Sequence, residues 1–224
     1  AAMSIALSQA SGVLEFLANG STVKSMHPGW AGHCGLIAAE LAEAGLTGPD
    51  TALEGRFGLF RVFADDDQAS ERLAKHLETL GEYWHLEEVA FKFLPCCHYL
   101  HSFVEAAAKL SKSEVKIEQI EEIEFKVPSG AAAVICEPWN HKCEASGHSA
   151  RWSLPITVAM QLVDGEINLK SFEGQVSPAV KSLARCSRWS VMKDSGFPGR
   201  LDAAIRFHLK NGELLETRVD DVYG

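Results

Sequence analysis

The sequence predicts an α+β chain. An all-helical stretch over residues 1–82 precedes a smaller mixed region over 84–224, whose mainly antiparallel sheet carries helices on one face. Three observations carry this reading. Apolar residues in the first stretch recur at helical spacing. From residue 84, runs with strand character alternate with helical ones. Near the end, two alternating runs flank Asn211-Gly212, a dipeptide that favours a type I′ hairpin turn.

The elements follow in order. Residues 1–18 set Ile5, Leu7, Val13, Leu14 and Leu17 at helical spacing, with Gly20 as a stop. STVKSMHPGW (21–30) reads as a loop, because Ser, Thr, Pro and Gly crowd there. GHCGLIAAELAEAG (32–45) reads as a closely packed helix with Gly45 beyond its end. TGPD (47–50) is a turn, and Asp50 or Thr51 caps a short helix after it. ASERLAKHLETLG (69–81) is an amphipathic helix ending at glycine.

WHLEEVAFKFLP (84–95) has strand character and stops at Pro95. CCHYLHSFVEAAAKL (96–110) returns to helix, with Leu100, Phe103, Val104, Ala107 and Leu110 on one face. KIEQIEEIEFKVP (116–128) reads as a strand, and 149–165 as a helix with Pro155 near its start. Residues 177–186 form a helix capped by Ser177, with Pro178 at its first position. Ala203, Ile205, Phe207 and Leu209 then alternate into the hairpin.

Composition narrows the function. Twenty-one basic residues against 30 acidic ones leave a net charge of −9. That argues against a nucleic-acid partner and against docking on anionic membranes. No apolar run approaches the roughly 18 residues that a membrane span requires. Six cysteines are too few for a disulfide-stapled scaffold, so reduced thiols and a cytoplasmic location are expected. The opening lacks the features of a signal peptide, and its helical pattern is already running at Ala1. This reads as a chain cut inside a helix, a fragment of a longer protein.

Two clusters carry candidate chemistry. Lys24 and His27 share one short segment with Pro28, Gly29 and Trp30, a pairing that can bind a carboxylate or move a proton. The alternative is a solvated surface loop. Lys92, Cys96, Cys97, His98 and His101 surround the Pro95 break, where a helix N-terminus and a lysine attract anions. The alternative there is thiols packed in a core. Arg151 lies at a helix start, where it faces that cluster or, alternatively, solvent. Metal ligation is disfavoured. Cys96-Cys97 are adjacent, and Cys136, His141, Cys143 and His148 miss zinc spacing and read as a loop. Cys97 and His101 stand four apart, but nothing marks either as an activated pair. Fingerprints for ATP, NAD or serine-esterase chemistry are missing.

These residues carry a family resemblance. VKSMHPGWAGHCGLIAAELAEAGLTGP, LEGRFGLFRVF, VAFKFLPCCHYLHSFVEAA, EIEFKVP, ARWSLPITVAMQLVDGEI and NGELLETRVDDVYG resemble the MmgE/PrpD family in order along the whole chain. That family includes 2-methylcitrate dehydratase, cis-aconitate decarboxylase and iminodisuccinate epimerase. The resemblance implies the C-terminal part of a helical domain over 1–82 and a small α+β domain over 84–224, with an active site between them. It implies a homodimer acting on a small di- or tricarboxylate, without a metal or organic cofactor.

Carried over by position, Lys24 matches the active-site lysine of the K-x-x-H segment and His27 its neighbour. Lys92 and His101 match substrate-facing positions, and all four are expected to be catalytic. Arg151 and Cys97 are expected to bind substrate. Cys97 stands where the resemblance places a histidine in the decarboxylase members, which lowers the decarboxylase reading. Family members are longer, and their early helical segments add an aspartate and histidines for acid–base work. The expected activity is therefore dehydration of 2-methylcitrate or a similar hydroxy acid, as in propionate metabolism. The alternatives are epimerisation of an imino- or amino-dicarboxylate, or a non-catalytic carboxylate-binding remnant.

Overall fold

The computed structural model describes residues 1–66, 68–111 and 115–222. The chain divides into two units: Ala1–Leu14 with Val23–Val89, and Glu15–Thr22 with Ala90–Gly224. Among the described residues, no helix is long and apolar enough to cross a membrane.

The first unit is built from helices and turns. Residues 1–18 do not form one helix. They split into α1 (Ala2–Leu7) and a 3₁₀ turn over Leu14–Ala18. The break falls at Gly12, whose φ of 108° is open to glycine and strained for other residues. The loop expected over 21–30 is also corrected. Thr22–Met26 is a 3₁₀ turn that runs directly into α2 (His27–Glu43). Pro28 sits in the first helical turn, where its fixed φ suits a helix and its missing N–H costs nothing.

The small residues of α2 allow a close approach to α1. Gln9 Nε2 reaches the carbonyls of Ile5 (3.4 Å) and Cys34 (3.5 Å), tying the two together. The short helix expected after Thr51 is instead a run of turns ending in one π-helical turn, Phe60–Ala64. A Cβ at Gly55 or Gly58 would stand 2.6 Å from the carbonyl of Thr51 or Leu53, so these turns require glycine. The amphipathic helix is shorter than expected, ending at Leu77 as α3 (Ala69–Leu77).

The strand expected over 84–95 does not form. His85–Glu88 makes a 3₁₀ turn, and the chain then runs irregularly to Cys97. Alternation alone is insufficient, because a strand needs a hydrogen-bonded neighbour. The four strands of the sheet pair among themselves. Val89, Phe91 and Phe93 consequently stay exposed.

The second unit holds α4 (His101–Ser111), β1 (Ile120–Pro128), α5 (Ser129–Ile135) and α6 (Trp139–Glu144). α7 (Leu154–Asp164), α8 (Pro178–Arg185), β2 (Ser187–Met192), β3 (Ala203–Leu209) and β4 (Leu214–Val219) complete it. The helix expected from 96 starts with a 3₁₀ turn, His98–Leu100. The segment Cys136–His148 is not a loop, because it contains α6. The helix expected from 149 is divided at Ser153. Gly147–Trp152 is a 3₁₀ stretch, and Ser153 Oγ then caps α7 by accepting from the Ile156 N–H.

The sheet runs β2-β1-β3-β4, with β1 and β2 parallel and the other pairs antiparallel. The expected hairpin is β3 and β4, turning at Asn211-Gly212. Alternation sorts the faces. Ile123, Phe125 and Val127 point into the core with Ile205 and Phe207, packed with α4, α5 and α7. The opposite face is ionic. Glu124 is buried there and accepts from Lys126 Nζ (2.6 Å) and Arg188 Nη1 (2.8 Å). Burial alone would raise its carboxyl pKa, but these cations hold it below the usual range. One face thus needs helices over it, and the other is satisfied by water and ion pairs.

Phe125 tests this core. It is fully buried and meets Phe103 edge-on at 6.1 Å. Phe125→Ala is expected to cost about 3–5 kcal/mol, seen as a lower urea midpoint.

Candidate functional site

The site residues of the second unit are set by one reciprocal link. The Cys97 N–H donates to the carbonyl of Arg151 at 2.7 Å. Arg151 Nη1 donates back to the carbonyl of Pro95 at 3.1 Å. Pro95 lacks an N–H and cannot extend a helix backwards, so its carbonyl is available to the guanidinium. That guanidinium also lies over the Phe172 ring, 5.1 Å from its centroid. Arg151 Nε is buried without a hydrogen-bond partner among the described residues.

Two imidazoles stand beside this link. His98 lies in the 3₁₀ turn and His101 opens α4. Their rings meet at 4.7 Å between centroids. Nε2 of each is buried without a partner among the described residues. His101 is only 2% exposed. Burial first, and then the charges of His98 and Lys92, push its imidazole down to about 4, against backbone hydrogen bonds with Leu94 and Cys96. Burial and Lys92 also lower His98. At neutral pH His101 is an uncharged base beside cations.

The thiols behave differently. Burial pushes Cys96 up to about 12, so it stays a neutral thiol. Cys97 is half-buried, with its N–H committed to Arg151. Lys92 is exposed on irregular backbone, not on a strand, yet its charge reaches Cys96, His98 and His101.

The structure therefore gathers Lys92, Cys97, His101 and Arg151, with His98, in the second unit. Lys24 and His27 belong to the first. Lys24 is exposed on the 3₁₀ turn Thr22–Met26. His27 opens α2, and its ring lies 3.5 Å from where a Cβ on Gly12 would stand.

One functional-looking residue escaped the sequence reading. Lys142, on α6, is 4% exposed. Its ammonium donates to the carbonyls of Val134 (2.7 Å) and Trp152 (3.0 Å). Burial brings it down to about 8, while Cys136 and Cys97 act in the opposite direction. It clamps the carbonyl immediately after Arg151. Its only sequence signal was a lysine between His141 and Cys143, inside a segment read as loop. Among the described residues, no group of three or more His, Cys, Asp or Glu side chains is placed to hold a metal ion.

An α+β unit with a buried guanidinium N–H that lacks a partner among the described residues is of the class suited to a small anion. The chain belongs to the MmgE/PrpD family: the C-terminal domain of that family matches residues 94–224 and the N-terminal domain residues 1–72. It is similar to the cis-aconitate decarboxylase of Mus musculus, 30% identical over 239 residues, covering 100% of this chain and 46% of the relative. The cis-aconitate decarboxylase of Homo sapiens is 30% identical over 237 residues, covering 100% and 46%. The cis-aconitate decarboxylase of Aspergillus terreus (strain NIH 2624 / FGSC A1156) is 27% identical over 238 residues, covering 100% and 48%. The chain spans about half the length of the curated relatives it matches.

The His101 environment has a measurable consequence. Its imidazole is expected to titrate near pH 4 by NMR, against 6.5 for an ordinary histidine. Between those values the unfolded chain binds more protons than the folded one, so stability rises with pH and is lost as pH falls. The loss from this one group reaches about 3 kcal/mol by pH 4. Urea unfolding should show a shallower acid dependence in His101→Gln. An unchanged slope would place the imidazole in a more open setting.

Proposed function

We propose that this chain is part of a lyase that moves a proton at a carbon next to a carboxylate of a small tricarboxylate. One observation carries the reading. Among the described residues, His98 Nε2 and His101 Nε2, within reach of the Lys92 charge, and Arg151 Nε, whose guanidinium is tied to Pro95, are buried without partners. Leaving a buried donor such as the Arg151 Nε–H unpaired costs about 1–3 kcal/mol, a cost that a bound carboxylate removes. Family membership supports a carboxylate substrate.

Lys92 and Arg151 hold the carboxylates and stabilise the negative charge that develops when the adjacent carbon loses its proton. His101, neutral in a cationic setting, accepts that proton. In the dehydration reading, the C–H electron pair forms the new double bond. The C–OH bond breaks, and the hydroxyl leaves as water after taking a proton from an acid. A 2-methylcitrate-like hydroxy acid meets that requirement. Lys24 and His27 are proposed to complete the acid–base set, and a homodimer is proposed as the working assembly.

Similarity to decarboxylases favours a second reading on the same residues. There a C–C bond breaks, carbon dioxide leaves, and the electron pair left on the carbon skeleton is quenched by a proton. Cys97, standing where the resemblance places a decarboxylase histidine, supports the first reading instead.

The test uses the longer protein that contains this chain. It is incubated with 2-methylcitrate, citrate and cis-aconitate. A new conjugated double bond, read by ultraviolet absorbance, supports dehydration, and released carbon dioxide supports decarboxylation. Solvent deuterium entering the substrate without loss of water or carbon dioxide would replace the lyase with an epimerase. No turnover of any of these would sink the lyase reading. His101→Ala and Lys92→Ala are each expected to lower kcat/KM by about 10²–10⁴ with the fold intact by circular dichroism.

A further inference from the structure

An open cleft of about 640 Å³ adjoins the cluster, a size within the range of small-molecule sites. It is lined by Lys92, Phe93, Leu94 and Pro95 from one segment and by Ile167 to Lys170 from another. Both segments connect to the site. Pro95 holds Arg151 through its carbonyl. Phe172, at the end of the Leu169–Phe172 turn that carries Lys170, lies under the Arg151 guanidinium.

That turn is held in place from within. Asn168 Oδ1 accepts from the Lys170 N–H at 2.9 Å, and the Asn168 N–H donates to Ser171 Oγ at 3.1 Å. The backbone that presents Lys170 is therefore fixed, while its side chain is exposed. Among the described residues, neither Lys92 nor Lys170 forms an ion pair with a carboxylate. In a chain with 30 acidic residues against 21 basic ones, two uncompensated lysines on one cleft mark a place for a multivalent anion.

We propose that Lys170, which lines the same cleft as Lys92, binds the outermost carboxylate of the substrate and selects tricarboxylates over dicarboxylates. The assignment rests on the carboxylate-lyase reading above. Arg151 and Lys92 engage the carboxylates nearest the reacting carbon. Lys170 lines the same cleft from a separate chain segment, where it is placed to meet a third carboxylate. Phe93, Leu94 and Ile167 add apolar lining to the same cleft.

The experiment is calorimetric titration of the longer protein with two inert probes, tricarballylate and glutarate. Lys170→Gln and Lys170→Glu are the variants, and because the side chain is exposed both are expected to fold. Lys170→Gln should raise the Kd for tricarballylate about 10-fold, the scale of one charge-assisted hydrogen bond. Lys170→Glu should raise it further, and the Kd for glutarate should change less than about twofold in Lys170→Gln. Unchanged tricarballylate affinity in both variants would overturn the assignment. So would equal weakening of both probes, which would make Lys170 a source of general field. If the unsubstituted protein binds neither probe, the carboxylate reading itself fails and this assignment falls with it. Binding of both probes with loss confined to the tricarboxylate supports it.

Discussion

The second unit turns on a two-way stitch between the chain around Pro95 and the chain around Arg151. The Cys97 amide and the Arg151 guanidinium each donate across it. The stitch joins the approach to α4 with the approach to α7, two helices that pack on each other over the sheet. Trp152, next to Arg151, receives the Lys142 ammonium on its carbonyl and the Phe16 ring against its side chain. Thr157 Oγ1 holds the Ala150 carbonyl from the first turn of α7. Arg151 therefore sits on backbone fixed from several sides. A guanidinium held this way meets an anion with little loss of freedom.

The electrostatics follow from that placement. The unit spends its acidic residues on the far face of the sheet, where Glu124 gathers Lys126 and Arg188, and Glu216 takes Arg206. Among the described residues, Lys92 and Arg151 form no ion pair with a carboxylate. Lys92 and Arg151 instead act on neighbouring side chains, and His101 is kept neutral by burial and positive surroundings. Lys142 follows another rule. Two carbonyls satisfy its buried ammonium, so it organises backbone and leaves the open cations to solvent or ligand.

Elements whose local chemistry and tertiary role agree were legible in the sequence. β1, the β3–β4 hairpin, and the helices begun by Ser153-Leu154-Pro155 and Ser177-Pro178 all carry pattern, cap and turn residues that point one way. The segment 84–95 was not legible, because alternation reports a two-faced surface and not the availability of a strand partner. The 21–30 segment misled for the opposite reason. Pro and Gly usually punctuate, but Pro28 in a first helical turn starts a helix. At the site, residue types near Pro95 announced a cluster attractive to anions. The partners of Arg151 and the depth of Lys142 arise from contacts 50 or so positions apart or from burial, which no local window contains.

Proton affinity and anion affinity are coupled in the proposed site. The influences that hold His101 low are burial and positive charge, and a bound tricarboxylate opposes the second directly. A carboxylate brought near Lys92 neutralises charge that disfavours an imidazolium. His101 is therefore a weaker base in the empty site than in the occupied one. By linkage, the anion binds more tightly to the form that carries the extra proton. Burial first, then the charge of His98 and then that of Lys92 keep His101 unprotonated and able to accept a proton. An isolated histidine at the surface would be part-protonated near neutral pH and would gain less from binding. The depth of His101 in α4 and the openness of Lys92 are for this reason two halves of one device, one setting the resting proton state and the other making it responsive to the ligand.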